Sequence, residues 1–294
     1  MPAEPCGAAV LLTGVRWTAG DAKRSPMVTS AVRCPHLSLA VILLTSLSAP
    51  ALAAIKSEKV EHRDAAGAVL EGVLVYDDAV KGARPGVLVV HDWMGVTEIT
   101  ETRAKELAAM GYVAFAADIY GKGTRPRDAK EASTFAGKYK GDRKLLRSRA
   151  QAGLDVLAKN KNVDAKKLAA IGFCFGGTTA IELARSGALL RGVVSFHGGL
   201  DAPTPGDGKN IKGKVLVLHG ADDPYVPAAD IAAFKKDLND AMVDWTMTEY
   251  AGTVHSFTIP SAGNDNSKGA AYNERSSKRA FAAMKAFFDE IFAG

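Results

Sequence analysis

The chain has 294 residues, of which 47% are hydrophobic and 23% are charged, a composition typical of an ordinary globular protein. Its net charge of +5 is spread along the sequence without a long block of lysine and arginine. This distribution indicates a solvated surface and argues against a nucleic-acid partner.

The N-terminal segment has the features of a leader rather than of a folded domain. An apolar run at 37–47 is too short to span a membrane, and it lies between Arg33 and the small residues at 51–53. This order predicts a secretory signal peptide that is cleaved near Ala53, and a start at Met27 gives it better proportions than the first methionine does. An uncleaved anchor or a disordered tail is the alternative. We therefore expect a periplasmic or secreted protein with no membrane association after cleavage.

Cleavage at this point divides the chain into an extension at 1–53 and a single domain at 54–294, a size that one α/β domain can reach. It also removes Cys6 and Cys34, so that Cys174 is the one cysteine of the mature sequence. A single thiol cannot form an internal disulfide. In an oxidising compartment, its presence in a glycine-rich turn indicates chemistry or deep burial.

Strands and helices alternate along the mature sequence. Two alternating segments at 55–63 and 69–76 flank a glycine turn and predict an antiparallel hairpin. Further strands are predicted at 86–90, 112–119, 168–173, 190–196, 214–219 and 243–250, and helices at 97–110, 128–159 with a break near Gly141, 176–186, 228–238 and 270–292. This alternation predicts an α/β fold in which helices cover both faces of one mostly parallel central sheet. Ligands of such sheets bind at the carboxyl ends of the strands.

Cys174 lies where a predicted strand turns into a predicted helix. The residues Gly172-Phe173-Cys174-Phe175-Gly176 have the layout of a nucleophile elbow, with the reactive side chain at the apex of a sharp strand–turn–helix. The apex backbone is strained, so glycine is needed two positions before it and two after it to avoid clashes. The N-terminus of the following helix favours a thiolate and later an oxyanion. A buried cysteine that only packs is the alternative.

Three carboxylate or imidazole side chains also follow predicted strands, namely Asp92, Asp223 and His255. The order nucleophile, acid, histidine is that of the α/β-hydrolases. In this hypothesis His255 lowers the pKa of Cys174 and shares its proton, and Asp223 fixes the tautomer of the imidazole. Taken singly, a histidine in a surface loop and an ordinary Asp-Pro turn are the alternatives.

Backbone donors and further histidines complete the predicted chemistry at the strand ends. For an oxyanion hole we predict the amides of Phe175 and Trp93. His91, His197 and His219 also lie near strand ends, but the sequence has no His-x-x-x-His or Cys-x-x-Cys pair of the kind that binds zinc. We therefore expect neither a metal nor another cofactor.

Over roughly residues 55–292 the sequence resembles the dienelactone hydrolase family. The resemblance is carried by segments 172–177, 219–227 and 252–257, with support from 117–120 and 272–275. It implies an α/β-hydrolase fold, a Cys174–His255–Asp223 triad and cofactor-free cleavage of a small-molecule ester or lactone through an acyl-enzyme. It also implies that Asp92 contacts the resting thiol and helps to convert it to a thiolate.

Two departures from the family pattern bear on mechanism and substrate. Asp92 lies in an Asp-x-x-Gly form where the type enzyme has Glu-x-x-Gly, so the switching carboxylate is shorter. The type enzyme holds a substrate carboxylate with arginines, one of them shortly after its catalytic histidine, whereas Ile259 in this region cannot clamp an anion. As substrate contacts we predict Arg125 and Arg127, if their loop folds over the site, together with Tyr225.

Two alternatives stay open at this point. The same fold can carry a non-catalytic or redox-sensing binding protein in which Cys174 is a sensor or a relic. The same triad can also cleave a peptide or a thioester, which sequence does not separate from ester hydrolysis. We expect the protein to be a monomer.

Overall fold

The computed structural model describes residues 55–293. The predicted leader at 1–53, with its start at Met27 and its cleavage near Ala53, lies outside the described residues.

The described chain continues the alternation of strands and helices to its end. Its strands are β1 (Ile55–Arg63), β2 (Val69–Asp77), β3 (Arg84–Val90), β4 (Val113–Ala117), β5 (Val163–Phe173), β6 (Gly192–Phe196), β7 (Lys214–Gly220) and β8 (Trp245–Tyr250). Its helices are α1 (Glu98–Ala109), α2 (Ala129–Gly141), α3 (Arg143–Ala158), α4 (Phe175–Arg185), α5 (Ala228–Asp240) and α6 (Glu274–Phe292). Within residues 55–293, no helix combines the length and the apolarity that crossing a bilayer requires.

All of these strands belong to one sheet with the order β1-β2-β4-β3-β5-β6-β7-β8. β1 and β2 form the predicted antiparallel hairpin at one edge, and β2 also runs antiparallel to β4. Every neighbouring pair from β4 to β8 is parallel. The prediction of an α/β fold with a mostly parallel sheet is therefore confirmed.

Helices cover both faces of the sheet, and each face has its own apolar core. On β3, Leu88 and Val90 belong to the core shared with α2, α3, α4 and α5, whereas Val87 and Val89 belong to the core shared with α1 and α6. All four side chains are fully buried. A strand that is covered on both faces has no polar alternation, which explains the uninterrupted apolar run in the sequence.

The parallel register ends several strands at the same edge of the sheet. Val90 of β3 pairs with Gly172 of β5, and Phe173 of β5 pairs with Phe196 of β6. β6 and β7 continue this register, and β7 pairs with β8 up to Tyr250. Residues that directly follow these strands therefore come together above one edge, where a doubly wound sheet binds its ligands.

Some predicted boundaries differ from the structure by a few residues, for local reasons. The closing helix begins at Glu274 rather than at 270, because the Asn273 side chain accepts a hydrogen bond from the Ser276 amide and caps it there. The predicted break in the long helical segment falls at Asp142, whose side chain caps α3 by accepting from the Leu145 amide.

The turn between β5 and α4 is packed backbone against backbone. A Cβ atom built on Gly172 would lie 2.0 Å from the carbonyl oxygen of Gly176, and one on Gly176 would lie 2.3 Å from the carbonyl oxygen of Val90. No rotation of a side chain relieves such contacts, because the atoms they meet belong to the main chain. The glycines of the predicted elbow are thus required by close approach.

We expect Gly172→Ala to lower the free energy of unfolding by about 3 kcal/mol or more, because the added methyl group overpacks immobile backbone. Gly137→Ala is the matched control. A Cβ at Gly137 meets no atom within 4 Å, and alanine inside a helix is about 0.5–1 kcal/mol more favourable than glycine. Urea unfolding of the two variants measures the difference. A Gly172→Ala protein as stable as the wild type would contradict the close packing.

Candidate active site

Cys174 occupies the apex of the turn between β5 and α4. Its backbone angles, φ 54° and ψ −114°, lie in a region that side-chain-bearing residues rarely adopt. Its amide donates both to the carbonyl of Phe196, at 3.0 Å, and to Nδ1 of His197, at 3.2 Å. The strained conformation is therefore held by β6 and by the residue that follows it, and the half-buried thiol is presented above the sheet edge.

His255 and Asp223 come together from two different loops. Nδ1 of His255 lies 2.8 Å from Oδ2 of Asp223, and both residues are more than 90% buried. The other oxygen of Asp223 accepts a hydrogen bond from the Tyr225 amide at 2.9 Å. The backbone of His255 is fixed in turn, since its amide donates to the carbonyl of Gly269 and its carbonyl accepts from the amide of Ala271. Nε2 is the ring nitrogen left to face Cys174.

The electrostatics of this group favour a charged imidazole. Burial disfavours the imidazolium, but the hydrogen bonds of His255 with Asp223 and Cys174, and the charges of both partners, outweigh it and raise the pKa of His255 to about 10. The imidazole of His255 can therefore hold a proton beside the sulfur, and the thiolate is the nucleophilic form of cysteine in general.

The amides of Phe175 and Trp93 border the same space. Phe175 is the first residue of α4, where backbone N–H groups have no partner within the helix. Neither amide donates a hydrogen bond to any group within residues 55–293. Two donors without acceptors beside a thiol can stabilise negative charge that develops on an oxygen there.

Asp92 lies in the loop after β3, as predicted, with its carboxylate turned toward its own backbone. Oδ1 accepts a hydrogen bond from the Met94 amide at 2.8 Å. Burial raises the pKa of Asp92, and the Met94 hydrogen bond opposes that rise. Asp92 and Cys174 line one cavity together.

Two cavities meet at Cys174. One has a volume of about 500 Å³ and is bordered by α2, α4 and the His255 loop; the other has a volume of about 430 Å³ and is bordered by α1 and the segment after Ile259. Both are lined by Trp93, Cys174, Ser256 and Ala270. When the carbonyl carbon of an ester lies at the thiol, the acyl chain extends to one side and the leaving group to the other. One cavity can hold the acyl chain and the other the leaving group.

The two cavities differ in charge. The larger cavity is lined by His255 and by Lys140, which forms no ion pair in the described part of the chain. The smaller cavity contains the carboxylates of Asp92 and Glu98. Lys140 belongs to no motif and lies on the exposed face of α2, so sequence patterns gave no signal for it.

The predicted substrate contacts divide between the cavities and the surface. Tyr225 borders the larger cavity, and its ring meets the ring of His255 edge-on with centroids 5.3 Å apart. Arg125 instead donates to the carbonyl of Val96 at 3.0 Å and lies 3.6 Å from the carboxylate of Asp118. Arg127 pairs with Glu131 on the surface. The structure thus brings neither arginine to a cavity that Cys174 lines.

His197 is a buried member of the site to which the sequence assigned no role. Its Nδ1 accepts the Cys174 amide, so its Nε2 carries the proton and donates to Oγ1 of Thr258 at 2.8 Å. Burial and the charge of His255 lower the pKa of His197 well below its usual value. A neutral His197 therefore connects the turn of Cys174 to the loop of His255. Within residues 55–293 no three His, Cys, Asp or Glu side chains are grouped to hold a metal ion.

The chain matches the model of the dienelactone hydrolase family over residues 70–292. Among solved structures, it superposes on a dienelactone hydrolase-like promiscuous phosphotriesterase from metagenomic libraries with a TM-score of 0.77 and 41% identity, covering 81% of this chain and 99% of that one. A putative carboxymethylenebutenolidase of Salmonella typhimurium is 28% identical over 221 residues, which are 71% of this chain and 78% of the relative. A probable 2-oxo-3-(5-oxofuran-2-ylidene)propanoate lactonase of a Bradyrhizobium species is 29% identical over 188 residues, 60% of this chain and 75% of the relative.

The family model spans most of the described residues, and the one-sheet architecture and the glycine elbow are both present in the structure. The chain therefore belongs to the dienelactone hydrolase family of ester and lactone hydrolases.

Proposed function

We propose that the protein hydrolyses a small ester or lactone by covalent catalysis, with Cys174 as nucleophile, His255 as acid and base, and Asp223 as the group that orients His255. The observation that carries this proposal is the convergence at one sheet edge of a strained apex thiol, a buried His255–Asp223 pair and two amides without acceptors. Each supplies a different requirement of acyl transfer.

The reaction begins with attack of the Cys174 thiolate on the carbonyl carbon. A carbon–sulfur bond forms, and the electron pair of the carbonyl moves onto its oxygen, where the amides of Phe175 and Trp93 donate hydrogen bonds. The carbon–oxygen bond of the ester then breaks, and the leaving alkoxide takes the proton of His255. In a lactone the leaving hydroxyl stays attached to the acyl chain.

The second half of the reaction releases the acyl group. His255, now neutral, takes a proton from water as the water oxygen attacks the thioester carbon. Collapse of this second tetrahedral intermediate breaks the carbon–sulfur bond, and the thiolate and imidazolium are restored. Asp223 accepts a hydrogen bond from the Nδ1–H of His255 throughout, which fixes the tautomer and stabilises the imidazolium each time it forms.

The space beside the thiol supports a small substrate. Cavities of about 500 and 430 Å³ match the size of ordinary small-molecule sites and meet at the sulfur. The names of the relatives suggest a test panel of a simple activated ester, an unsaturated lactone that carries a carboxylate, and a phosphotriester.

The redox-sensor and peptidase alternatives are less well supported. A sensor thiol needs no oriented histidine–aspartate pair and no pair of amides without acceptors, both of which border Cys174. A peptidase needs an extended groove for a peptide, whereas the space at the sulfur divides into two compact cavities.

We expect Cys174→Ala to lower kcat/KM for an activated ester by roughly 10³-fold or more, because the attacking atom is lost. His255→Ala should fall comparably, whereas His62→Ala, at a half-buried histidine on β1, should keep wild-type activity. Steady-state hydrolysis measures the rates, and mass spectrometry of the quenched reaction should find the acyl group on Cys174. Full activity in Cys174→Ala would refute the proposal. Reversible oxidation of Cys174 without turnover on the whole panel would favour the sensor.

We expect the imidazole of His255 to stay protonated well above its ordinary pKa of 6.5, to about pH 10. Since Cys174 and Asp223 both raise that pKa, Cys174→Ala and Asp223→Asn should each move the titration to lower pH. Activity should fall as the pH rises through the pKa of His255, because the leaving group then loses its proton donor. NMR titration of the histidine ring protons makes the measurement. A midpoint near 6.5 in the wild type would contradict the ion pair.

We expect Lys140→Met to lower kcat/KM for an ester that carries a carboxylate, relative to a neutral ester of the same size, by at most about fivefold, the size of an exposed charge pair. Lys138→Met removes the same charge from the same helix outside the cavity and should leave the ratio unchanged. High salt should remove the preference in the wild type. Equal effects of the two lysine variants would assign the preference to overall charge rather than to the cavity.

A further inference from the structure

The loop after β3, which we call the Trp93 loop and define as residues 91–95, has its Asp92 and Trp93 carbonyls held by side-chain hydrogen bonds. The carbonyl of Asp92 accepts from Nδ1 of His91 at 2.5 Å and from the Gly95 amide at 3.4 Å. The carbonyl of Trp93 accepts from the hydroxyl of Tyr120 at 3.0 Å, and the Met94 amide donates to the Asp92 side chain. Between 92 and 95, the amides of Met94 and Gly95 have acceptors within the described chain, whereas the amides of Asp92 and Trp93 have none.

His91 has a single possible tautomer in this arrangement. The amide of Ile119, two residues after the end of β4, donates to Nε2 of His91 at 3.2 Å, so Nε2 carries no proton. Nδ1 therefore carries the proton and donates to the carbonyl of Asp92. The ring is fully buried, and burial lowers its pKa to about 4, so the neutral form persists at the pH of ordinary assays. The hydrogen bond to Asp92 is thus a permanent feature of the folded protein.

That hydrogen bond sets the direction of the neighbouring amide. The carbonyl of Asp92 and the N–H of Trp93 belong to one planar peptide group, and the peptide is trans, so the two point in opposite directions. Because His91 holds the oxygen on the side of the buried strand ends, the N–H of Trp93 is directed away from them. Trp93 itself lines both cavities that contain Cys174.

The ring of His91 also contacts the other predicted oxyanion donor. It stacks on the ring of Phe175 at a centroid distance of 5.7 Å and an angle of 18°, and it meets the ring of Tyr120 edge-on at 4.7 Å. Burial raises the pKa of Tyr120, so its hydroxyl keeps the proton that it donates to the Trp93 carbonyl. The two buried side chains therefore hold the two carbonyls on either side of the Trp93 amide.

We propose that His91 is a positioning residue for the reaction, which aims the Trp93 amide at the developing oxyanion through its hydrogen bond to the Asp92 carbonyl. Tyr120 supports the adjoining peptide in the same way. The inference rests on the proposed function, since it assigns His91 a part in stabilising the oxyanion of acyl transfer. His91 does not itself touch the substrate.

The test distinguishes an effect on the orientation of the Trp93 amide from an effect on the reactivity of the Cys174 thiol. Alkylation of Cys174 by iodoacetamide proceeds by displacement of iodide and forms no oxyanion, whereas ester hydrolysis requires one. In His91→Phe, which keeps a buried ring but loses both hydrogen bonds, we expect kcat to fall 10- to 100-fold with KM within twofold. Loss of an oxyanion donor acts on the transition state and typically lowers kcat by about 10²–10³-fold when it is complete. The alkylation rate should stay within twofold of the wild type.

A conservative variant and a second site complete the experiment. His91→Gln offers an amide donor and an acceptor to the same partners and should recover most of the lost kcat. Tyr120→Phe removes only the hydroxyl that holds the Trp93 carbonyl, so it tests the same loop without opening a cavity, and kcat should fall by a smaller factor at unchanged alkylation rate. Phe234→Leu, a core substitution on α5 away from the site, is the control for general destabilisation.

A wild-type kcat in both His91→Phe and Tyr120→Phe would overturn the inference, and so would parallel losses of hydrolysis and alkylation. Neither result affects the role of Cys174, which stands or falls with Cys174→Ala. Failure of the inference and failure of the proposed function are therefore distinguishable.

Discussion

The structure depends on one close approach of backbone, at the point where β5 passes into α4. Gly172 and Gly176 lie in contact, and Cys174 between them takes a positive φ of 54°. This geometry lifts the thiol out of the sheet and points the first amides of α4 toward it. The neighbouring parallel strands end at the same edge of the sheet, so the loops that follow them surround the thiol.

Three histidines near this edge show how local contacts decide the charge of one side-chain type. His91 and His197 are fully buried, which lowers the pKa of both rings, and each receives a backbone amide on one ring nitrogen, which fixes its tautomer. His255 is almost as buried but faces a carboxylate on one side and a thiol on the other, so it favours the proton. Burial pushes all three toward neutrality, and the partners of the ring nitrogens determine which of them becomes charged.

The fold and the convergence of Cys174, Asp223 and His255 were predictable because both depend on short-range patterns. Apolar runs and glycines mark the strands and the elbow, and parallel strands bring their carboxyl ends together whatever the loops between them do. The placement of Arg125, Arg127 and Lys140 was not predictable, because it depends on how a loop and a helix pack across the sheet edge. The start of α6 was misplaced for a related reason: Ala270 and Ala271 have side chains that favour a helix, but this part of the chain pairs with the segment of His255 instead. His91 and His197 were noticed as histidines near strand ends, but the backbone amides that they accept and the distant Thr258 hydroxyl that His197 contacts leave no trace in a sequence.

Cys174 is one of three residues other than glycine near the thiol that adopt left-handed backbone, together with His197 and Ser256. Conformations of this kind typically cost about 1–3 kcal/mol each and persist only where the surrounding structure imposes them. Mutations that relieve the backbone strain at these positions should therefore raise thermal stability and lower the catalytic rate. In homologues that no longer need catalytic turnover, we expect substitutions at these three strained positions to accumulate before substitutions in the apolar cores.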